Sequence, residues 1–155
     1  GLCHGAGIPV AVDSCGYLAR PDSLRVLEEA DLVLFDLKGM DPARHRANTG
    51  VSNAPILDTF RHLTGIGKPV IVRLPVIPGR NDSPEELGAA IALLSASPNV
   101  ERVDVLPYHT FGRVKYDELG MPYPMGDGTP PLSEADVAPL VERLRAAGLR
   151  VQVGG

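Results

Sequence analysis

The sequence lacks the cysteine content, the long apolar runs and the basic clusters that mark disulfide-rich, membrane-spanning and nucleic-acid-binding proteins. It contains two cysteines, Cys3 and Cys15, in 155 residues, and it has no tryptophan. Two thiols do not make a disulfide framework, and they fit a reducing, cytoplasmic setting best. No apolar run approaches the roughly 18 to 20 residues of a membrane span, and the first residues do not resemble a secretory segment. The net charge of −4, without a cluster of basic residues, argues against nucleic-acid or membrane partners.

The length of the chain is enough for one domain with a fair core, and hardly for two. The apolar fraction of 44% is that of a globular protein. The chain opens with Gly1 rather than Met. We therefore expect it to be a piece of a longer protein.

The segment of residues 32 to 40, LVLFDLKGM, organises the rest of the chain. Four consecutive apolar residues indicate a strand with both faces covered, as in the parallel sheet of an α/β fold. Side chains alternate along a strand, so Asp36 and Lys38 leave it by the same face. Charged residues are rarely buried without a partner or a task. Their place at the end of a hydrophobic strand is typical of an active-site rim.

Three further apolar strands are predicted, each separated from the next by helical segments. The predicted strands cover residues 10–14, 32–38, 68–77 and 100–106, with a possible closing strand at 150–153. Helices are expected to begin at Pro21 and Asp22, at Asp41 and Pro42, near Ala54, at a Ser83–Glu86 capping box, and at Ser133 with Asp136. Residues 110–132, rich in Gly and Pro, form a long connection of the kind that is usually functional. This alternation predicts a parallel sheet with right-handed crossovers, and therefore an α/β fold.

Polar residues follow these strands where each one ends. In parallel α/β folds, catalytic residues lie at the carboxyl ends of the strands. The residues at these ends are Asp13, Ser14, Asp36, Lys38 and His109, and Arg73 comes slightly earlier in its strand. We expect them to converge on one rim.

Each of these residues also has a structural interpretation. Asp36 and Lys38 could form an ion pair that seals the end of the barrel. Arg73 could pair with Asp36 or Asp13 inside the sheet, although a guanidinium is also the best side chain for gripping a carboxylate. His109 could be a satisfied loop histidine, and Asp13 a turn residue.

The remaining histidines and the cysteines do not suggest a metal centre. His4, His45 and His62 lack metal-ligand spacing, and we expect His45 and His62 to lie on helix surfaces. An iron–sulfur cluster takes three or four thiolates, and this chain holds two.

Five segments together resemble the pyruvate formate-lyase activating enzymes, which are radical S-adenosylmethionine enzymes. They are VDSCG (12–16), LVLFDLK (32–38), TGVSN (49–53), VRLPVIPG (72–79) and VLPYHTFGRVKY (105–116). The resemblance covers nearly the whole chain in the right order. DLK, VIPG and LPYH are specific to these activases only in combination.

The resemblance implies a fold and a site. The fold is a partial TIM-type barrel of six βα units, and residues 1–155 correspond to the last four in a single truncated domain. The residues matching the family's monovalent-cation site are Asp13, Ser14 and Asp36, and those matching its S-adenosylmethionine contacts are Lys38, Arg73 and His109. Cys15 stands where the family has an asparagine.

The resemblance also implies an activity for the full-length protein. A [4Fe–4S] cluster would cleave S-adenosylmethionine reductively, and the resulting radical would take hydrogen from a glycine of pyruvate formate-lyase or a related glycyl radical enzyme. Flavodoxin or another donor would supply the electron. The CxxxCxxC cluster motif is not in this sequence. We therefore expect the fragment alone to be inactive.

Two other functions remain open at this point. One is a non-catalytic module whose rim binds a ligand or a partner. The other is a Schiff-base enzyme with Lys38 as nucleophile, which needs a desolvated site or a cationic neighbour. Asp36 on the same face works against that chemistry.

The truncation has a physical consequence. A barrel that starts at Val10 has an unpaired strand edge and uncovered apolar positions. We expect the isolated piece to be marginally stable or to self-associate.

Overall fold

Five parallel strands form one sheet in which the spatial order is the order of the sequence. The computed structural model describes residues 1–18, 20, 22–125 and 128–154. The strands are β1 (Ala11–Ser14), β2 (Leu32–Asp36), β3 (Val70–Val76), β4 (Val100–Pro107) and β5 (Val151–Val153). Each strand pairs in parallel with its neighbour in sequence. The predicted α/β fold with a parallel sheet is confirmed, and the closing strand is β5.

Every crossover between consecutive strands contains at least one helix. The helices are α1 (Leu2–Gly5), α2 (Ser23–Glu29), α3 (Pro42–Thr49), α4 (Ala54–Gly65), α5 (Pro84–Ser95), α6 (Arg113–Glu118) and α7 (Glu134–Ala146). The long connection after β4 contains α6, which the sequence analysis did not predict. Pro21, which we expected to begin a helix, lies outside the described residues.

The helices cover one face of the sheet. Side chains on this face alternate with those on the other, and β3 shows the alternation along its whole length. The fully buried layer consists of Val33, Phe35, Val70, Val72, Val103 and Val105 from the strands, with Phe60, Leu63, Leu94 and Leu144 from the helices. Leu32 and Leu34 on the opposite face are only half-buried. The expectation that both faces of β2 would be covered is therefore wrong for this chain, because the helical layer packs on one side.

The predicted helix starts depend on local hydrogen bonds, and most are confirmed. The carboxylate of Asp41 accepts a hydrogen bond from the backbone N–H of Arg44 at 2.7 Å, and α3 ends at Gly50 with a φ of 83°. Ser133 and Asp136 form a reciprocal capping box at the start of α7. Such caps satisfy N–H groups that have no partner inside the helix.

The capping box predicted at Ser83 is only half present. The Ser83 hydroxyl accepts a hydrogen bond from the N–H of Glu86 at 3.3 Å. The carboxylate of Glu86 does not return this bond, because it accepts hydrogen bonds from the backbone of Met40 and Asp41 instead. A contact far away in sequence has taken the place of the local one.

One of the two helical histidines differs from expectation. His62 is exposed, as predicted, and lies 2.7 Å from a carboxylate oxygen of Glu28. His45 is buried, so its prediction as a surface residue is wrong. Its Nδ1 lies 2.8 Å from the carbonyl oxygen of Val51, and this contact with the turn that follows α3 satisfies the ring inside the protein.

The margins of the sheet are exposed. In the described part of the chain, β1 has one strand neighbour, β2, and its residues are half-buried or exposed.

Within the same residues, none of the helices has both the length and the apolar character needed to cross a lipid bilayer.

Candidate functional site

The sheet face opposite the helices carries polar side chains in register across four strands. Asp36 on β2 is level with Arg73 on β3, Arg73 with Asp104 on β4, and Asp104 with Gln152 on β5. Residues level with one another in a parallel sheet leave it on the same face. We call Asp13, Asp36, Arg73, Arg102 and Asp104 the polar face.

Arg73 is bound to two aspartates of the polar face. Its Nε donates a hydrogen bond of 2.7 Å to Asp36 Oδ1, and its Nη2 donates one to Asp13 Oδ1. Partial burial acts to lower the pKa of Arg73, but the hydrogen bonds to Asp36 and Asp13 outweigh it and raise the pKa above its ordinary value. The guanidinium therefore stays charged and is held in one orientation. This is the structural pairing that the sequence analysis left open.

Lys38 extends the same charged group toward the carboxyl end of the sheet. Its Nζ lies 3.5 Å from Asp36 Oδ2, so both oxygens of Asp36 face cations. The order Asp13, Arg73, Asp36, Lys38 alternates in sign, and the four formal charges cancel. Such a group offers N–H donors to an anion and carboxylate oxygens to a cation.

Ser14 does not join this group. It follows Asp13 in the strand, so its side chain points to the opposite face of the sheet. Its hydroxyl accepts a hydrogen bond from the backbone N–H of Gly16 at 3.0 Å. The structure thus brings together Asp13, Asp36, Lys38 and Arg73, while Ser14 stabilises the turn after β1.

His109 is exposed in the loop that follows β4. Its Nδ1 accepts a hydrogen bond of 3.3 Å from the backbone N–H of Phe111, and the two rings lie with centroids 4.6 Å apart. Both contacts are inside this loop. His109 follows the carboxyl end of β4, as predicted, and neither contact joins it to Asp13, Asp36, Lys38 or Arg73.

Arg102 and Asp104 are residues of the polar face that the sequence analysis missed. Asp104 is 2% exposed. The guanidinium of Arg102 grips it with two hydrogen bonds, of 2.5 Å from Nε to Oδ1 and 3.1 Å from Nη2 to Oδ2. The hydrogen bond to Asp104 raises the pKa of Arg102. The same spacing of two residues that singled out Asp36 and Lys38 would have found this pair.

A cleft lined by tyrosines opens beside the loop after β4. Tyr108, Tyr116 and Tyr123 line it, together with Arg80. The hydroxyls of Tyr108 and Tyr123 are 2.9 Å apart, and this hydrogen bond raises the pKa of Tyr123. Rings with polar tips are suited to contacts with another polypeptide.

The cysteines are both free thiols, as predicted, with Cys3 exposed and Cys15 half-buried. Among the described residues, no cluster of three or more His, Cys, Asp or Glu side chains could hold a metal ion.

Known proteins resemble this chain over most of its length. The sequence model of the Radical SAM superfamily matches residues 2–91. A pyruvate formate-lyase-activating enzyme of Listeria monocytogenes is 39% identical over 130 residues, which are 80% of this chain and 52% of that protein. A trans-4-hydroxy-L-proline dehydratase activating enzyme of Clostridioides difficile is 34% identical over 155 residues, covering 99% of this chain and 51% of that protein. The chain spans about half the length of these curated relatives.

A solved structure has the same fold. It is a domain of pyruvate-formate lyase-activating enzyme from Bacteroides vulgatus, with a TM-score of 0.78 and 28% identity. The match covers 99% of this chain and 86% of that domain. The five-stranded sheet is therefore the partial barrel expected from the sequence.

Proposed function

This chain belongs to the radical SAM superfamily, and on that basis we propose that it is part of an activating enzyme that generates a glycyl radical on pyruvate formate-lyase or a related enzyme. The observation that carries the proposal is the joining of Asp13, Arg73, Asp36 and Lys38 at the carboxyl ends of three neighbouring strands. The relatives named as activating enzymes support it. Residues 1–155 would form a single, incomplete barrel domain.

S-adenosylmethionine supplies the radical chemistry of this superfamily when it is cleaved reductively beside an iron–sulfur cluster. The cationic part of the site fits its methionine carboxylate, because a guanidinium presents parallel N–H donors in the geometry that a carboxylate accepts. We assign this contact to Arg73. Lys38 and His109 are the further candidates for hydrogen bonds to the same molecule.

Binding through the edge of Arg73 that carries Nε and Nη2 requires an exchange of partners, because each of these nitrogens already donates to an aspartate. The side chain of Asp13 is 58% exposed and that of Asp36 is 21% exposed. Replacing the arginine partner by water therefore costs less free energy at Asp13 than at Asp36. We propose that Arg73 keeps Asp36 and turns from Asp13 to the ligand.

The negative charges of Asp13 and Asp36 lead us to propose a bound cation. Carboxylate oxygens are hard ligands that suit hard cations, and Asp13 and Asp36 would require a positive charge if Arg73 turned away. A monovalent cation is our candidate for that charge. Ser14 would contribute only if its backbone turned, because its side chain leaves the sheet on the opposite face, so the two aspartates carry this part of the proposal.

The cysteines of this chain do not fit a [4Fe–4S] cluster. Such a cluster takes three or four thiolates, and the chain has Cys3 and Cys15. We propose that the cysteines that hold the cluster lie in another part of the complete protein. The cluster would receive its electron from flavodoxin or a similar donor in the cytoplasm. The 155 residues alone would then bind S-adenosylmethionine incompletely and would not cleave it.

The glycyl radical enzyme is the proposed protein partner, and the loop after β4 with the tyrosine-lined cleft is the surface assigned to it. Phe111, Val114 and Leu119 in this segment are exposed apolar residues. Apolar side chains grouped on a surface mark contacts with other proteins.

The Schiff-base alternative is not supported by the surroundings of Lys38. The carboxylate of Asp36 at 3.5 Å stabilises the charged ammonium, whereas a lysine nucleophile has to lose its proton.

The test of the proposed function is the iron content of the complete gene product, purified without oxygen, with its cleavage of S-adenosylmethionine on reduction. About four irons per chain, with 5′-deoxyadenosine formed, is the expected result. A protein that holds no iron after reconstitution and still binds S-adenosylmethionine would be a non-catalytic binding module, and the proposal would be overturned.

A further inference from the structure

Three buried polar side chains hold the backbone of the segment that carries Lys38. We call residues 38–41, which follow β2, the rim loop. Asn53, Asn81 and Glu86 contact it, and they are 2%, 5% and 6% exposed. They come from three places in the fold, since Asn53 precedes α4, Asn81 lies between β3 and α5, and Glu86 is in the first turn of α5.

Asn81 links the ends of two strands. Its Nδ2 donates hydrogen bonds to the carbonyl oxygen of Lys38 at 3.0 Å and to that of Pro75 at 2.7 Å. Its Oδ1 accepts one from the N–H of Ile77 at 2.8 Å. The segment that carries Lys38 is thereby joined to β3 just two residues beyond Arg73.

Glu86 and Asn53 hold the remaining backbone groups of the rim loop. The Glu86 carboxylate accepts hydrogen bonds from the N–H groups of Met40 and Asp41, the latter at 3.0 Å. Asn53 Nδ2 donates to the carbonyl oxygens of Gly39 at 3.1 Å and Met40 at 2.6 Å. These bonds satisfy buried backbone groups that would otherwise be costly to remove from water.

Close packing also restricts the rim loop. A Cβ at residue 39 would lie 2.9 Å from Glu86 Oε1, so any larger residue there would displace the end of the Glu86 side chain. Leu37, immediately before the loop, is 1% exposed and anchors it in the core. Its N–H donates a hydrogen bond of 3.0 Å to the carbonyl oxygen of Arg73.

We infer that Asn53, Asn81 and Glu86 are positioning residues for ligand binding, because they fix Lys38 relative to Arg73. The inference rests on the proposed function, in which both cations contact S-adenosylmethionine. Two cations bind one ligand well only if the distance between them is set before the ligand arrives. The strand ladder ends at Asp36 and Arg73, and Asn81 continues the connection beyond that point.

The experiment compares Asn81→Asp with Asn99→Asp in the complete gene product. Asn99 is a matched control, because its Nδ2 donates to the carbonyl oxygen of Thr64 at 2.8 Å and it precedes β4, at the opposite end of the sheet from the rim loop. Asn81→Asp removes the donor to two backbone carbonyls, and Asn99→Asp removes the donor to one. Three quantities are measured, namely the unfolding temperature, the amide hydrogen exchange of the rim loop, and the Kd for S-adenosylmethionine in equilibrium dialysis.

Both variants are expected to unfold at a lower temperature, but only Asn81→Asp should speed exchange at Met40 and Asp41 and raise the Kd, by about 10-fold. An equal change in Kd for both variants would overturn the inference, since the effect would then be a general loss of stability. A wild-type protein that does not bind S-adenosylmethionine would overturn the proposed function, and the inference with it.

A second pair of variants decides the matter if Asn81→Asp does not fold. Glu86→Gln keeps the shape of the side chain and weakens its hold on two N–H groups, whereas Glu85→Gln changes an exposed neighbour. Glu86→Gln should raise the Kd several-fold and Glu85→Gln should leave it unchanged. Unchanged affinity in Glu86→Gln, with faster exchange in the rim loop, would show that the three residues serve stability alone.

Discussion

Arg73 lies level with Asp36 on the neighbouring parallel strand and donates a hydrogen bond of 2.7 Å to its Oδ1. The pair is more than a surface salt bridge, because three quarters or more of each side chain is removed from solvent. A charge-assisted bond in such a position fixes the direction of both groups. The Arg73–Asp36 pair is therefore in place before any ligand reaches the site.

Replacing Arg73 by lysine should weaken binding of S-adenosylmethionine by about 10-fold, because an ammonium keeps the charge and loses the planar pair of donors. Equilibrium dialysis with the complete gene product measures the change. Arg61→Lys is the control, since Arg61 is exposed on α4 and pairs only weakly with Asp58 at 3.2 Å. Equal affinity in the two variants would contradict the role assigned to Arg73.

Substituting alanine for Gly16 should destabilise the chain more than the same change at Gly50. Both glycines have positive φ, of 71° and 83°, which costs alanine about 1 kcal/mol. At Gly16 the new Cβ would also lie 2.6 Å from Cε2 of Phe35, a fully buried ring, whereas at Gly50 nothing lies within 4 Å. The clash should add about 1 to 3 kcal/mol. Urea unfolding of the two variants measures the difference, and equal losses would refute the clash.

The capping box of α7 should give the stability of the chain a defined pH dependence. Hydrogen bonds from the side chain and the backbone of Ser133 lower the pKa of Asp136 below its ordinary 3.8. The ionised carboxylate therefore stabilises the folded state above that pH, and the contribution is lost as the pH falls through the lower, folded pKa.

Ser133→Ala should lower the unfolding temperature by about 3 °C at neutral pH, and the gap to the wild type should narrow as the pH falls below 3.8. Thermal scans between neutral pH and pH 3 test this. Ser95→Ala, at the exposed end of α5, should show a small difference at every pH. A gap for Ser133→Ala that stays constant would contradict the assignment.

The 155-residue chain should self-associate through β1. Its free edge offers backbone donors and acceptors to a second strand, and Ala11 is exposed on it. Size-exclusion chromatography with light scattering should show a mass above that of one chain, increasing with concentration. Ala11→Lys should move the distribution toward monomer, because a charge on an edge strand opposes further pairing. A monodisperse monomer with a sharp thermal transition would refute the prediction.

The parts of the fold that the sequence predicted are those determined by local rules. Apolar runs and turn residues located all five strands, and the caps at Asp41 and Ser133 depend on residues three positions away. The charged residues Asp36 and Arg73 were found because they interrupt apolar strands. Their pairing with each other was left open, since it depends on strand register.

The parts that could not be predicted depend on contacts between distant segments. Glu86 fits the local pattern of a capping box, yet it binds the backbone 46 residues earlier. His45 looks like a surface residue on a polar helix and is buried by the turn that follows. Asn53 and Asn81 have no sequence pattern that announces their hydrogen bonds to the rim loop.

The sequential order of the strands bears on how the protein is made. During synthesis, each new strand can dock on the edge left by the previous one, so no completed pair has to open to admit a later strand. The rim loop is an exception, because it leaves the ribosome well before Asn81 and Glu86 do. The ligand site would thus be finished only when the nascent chain has passed the third strand.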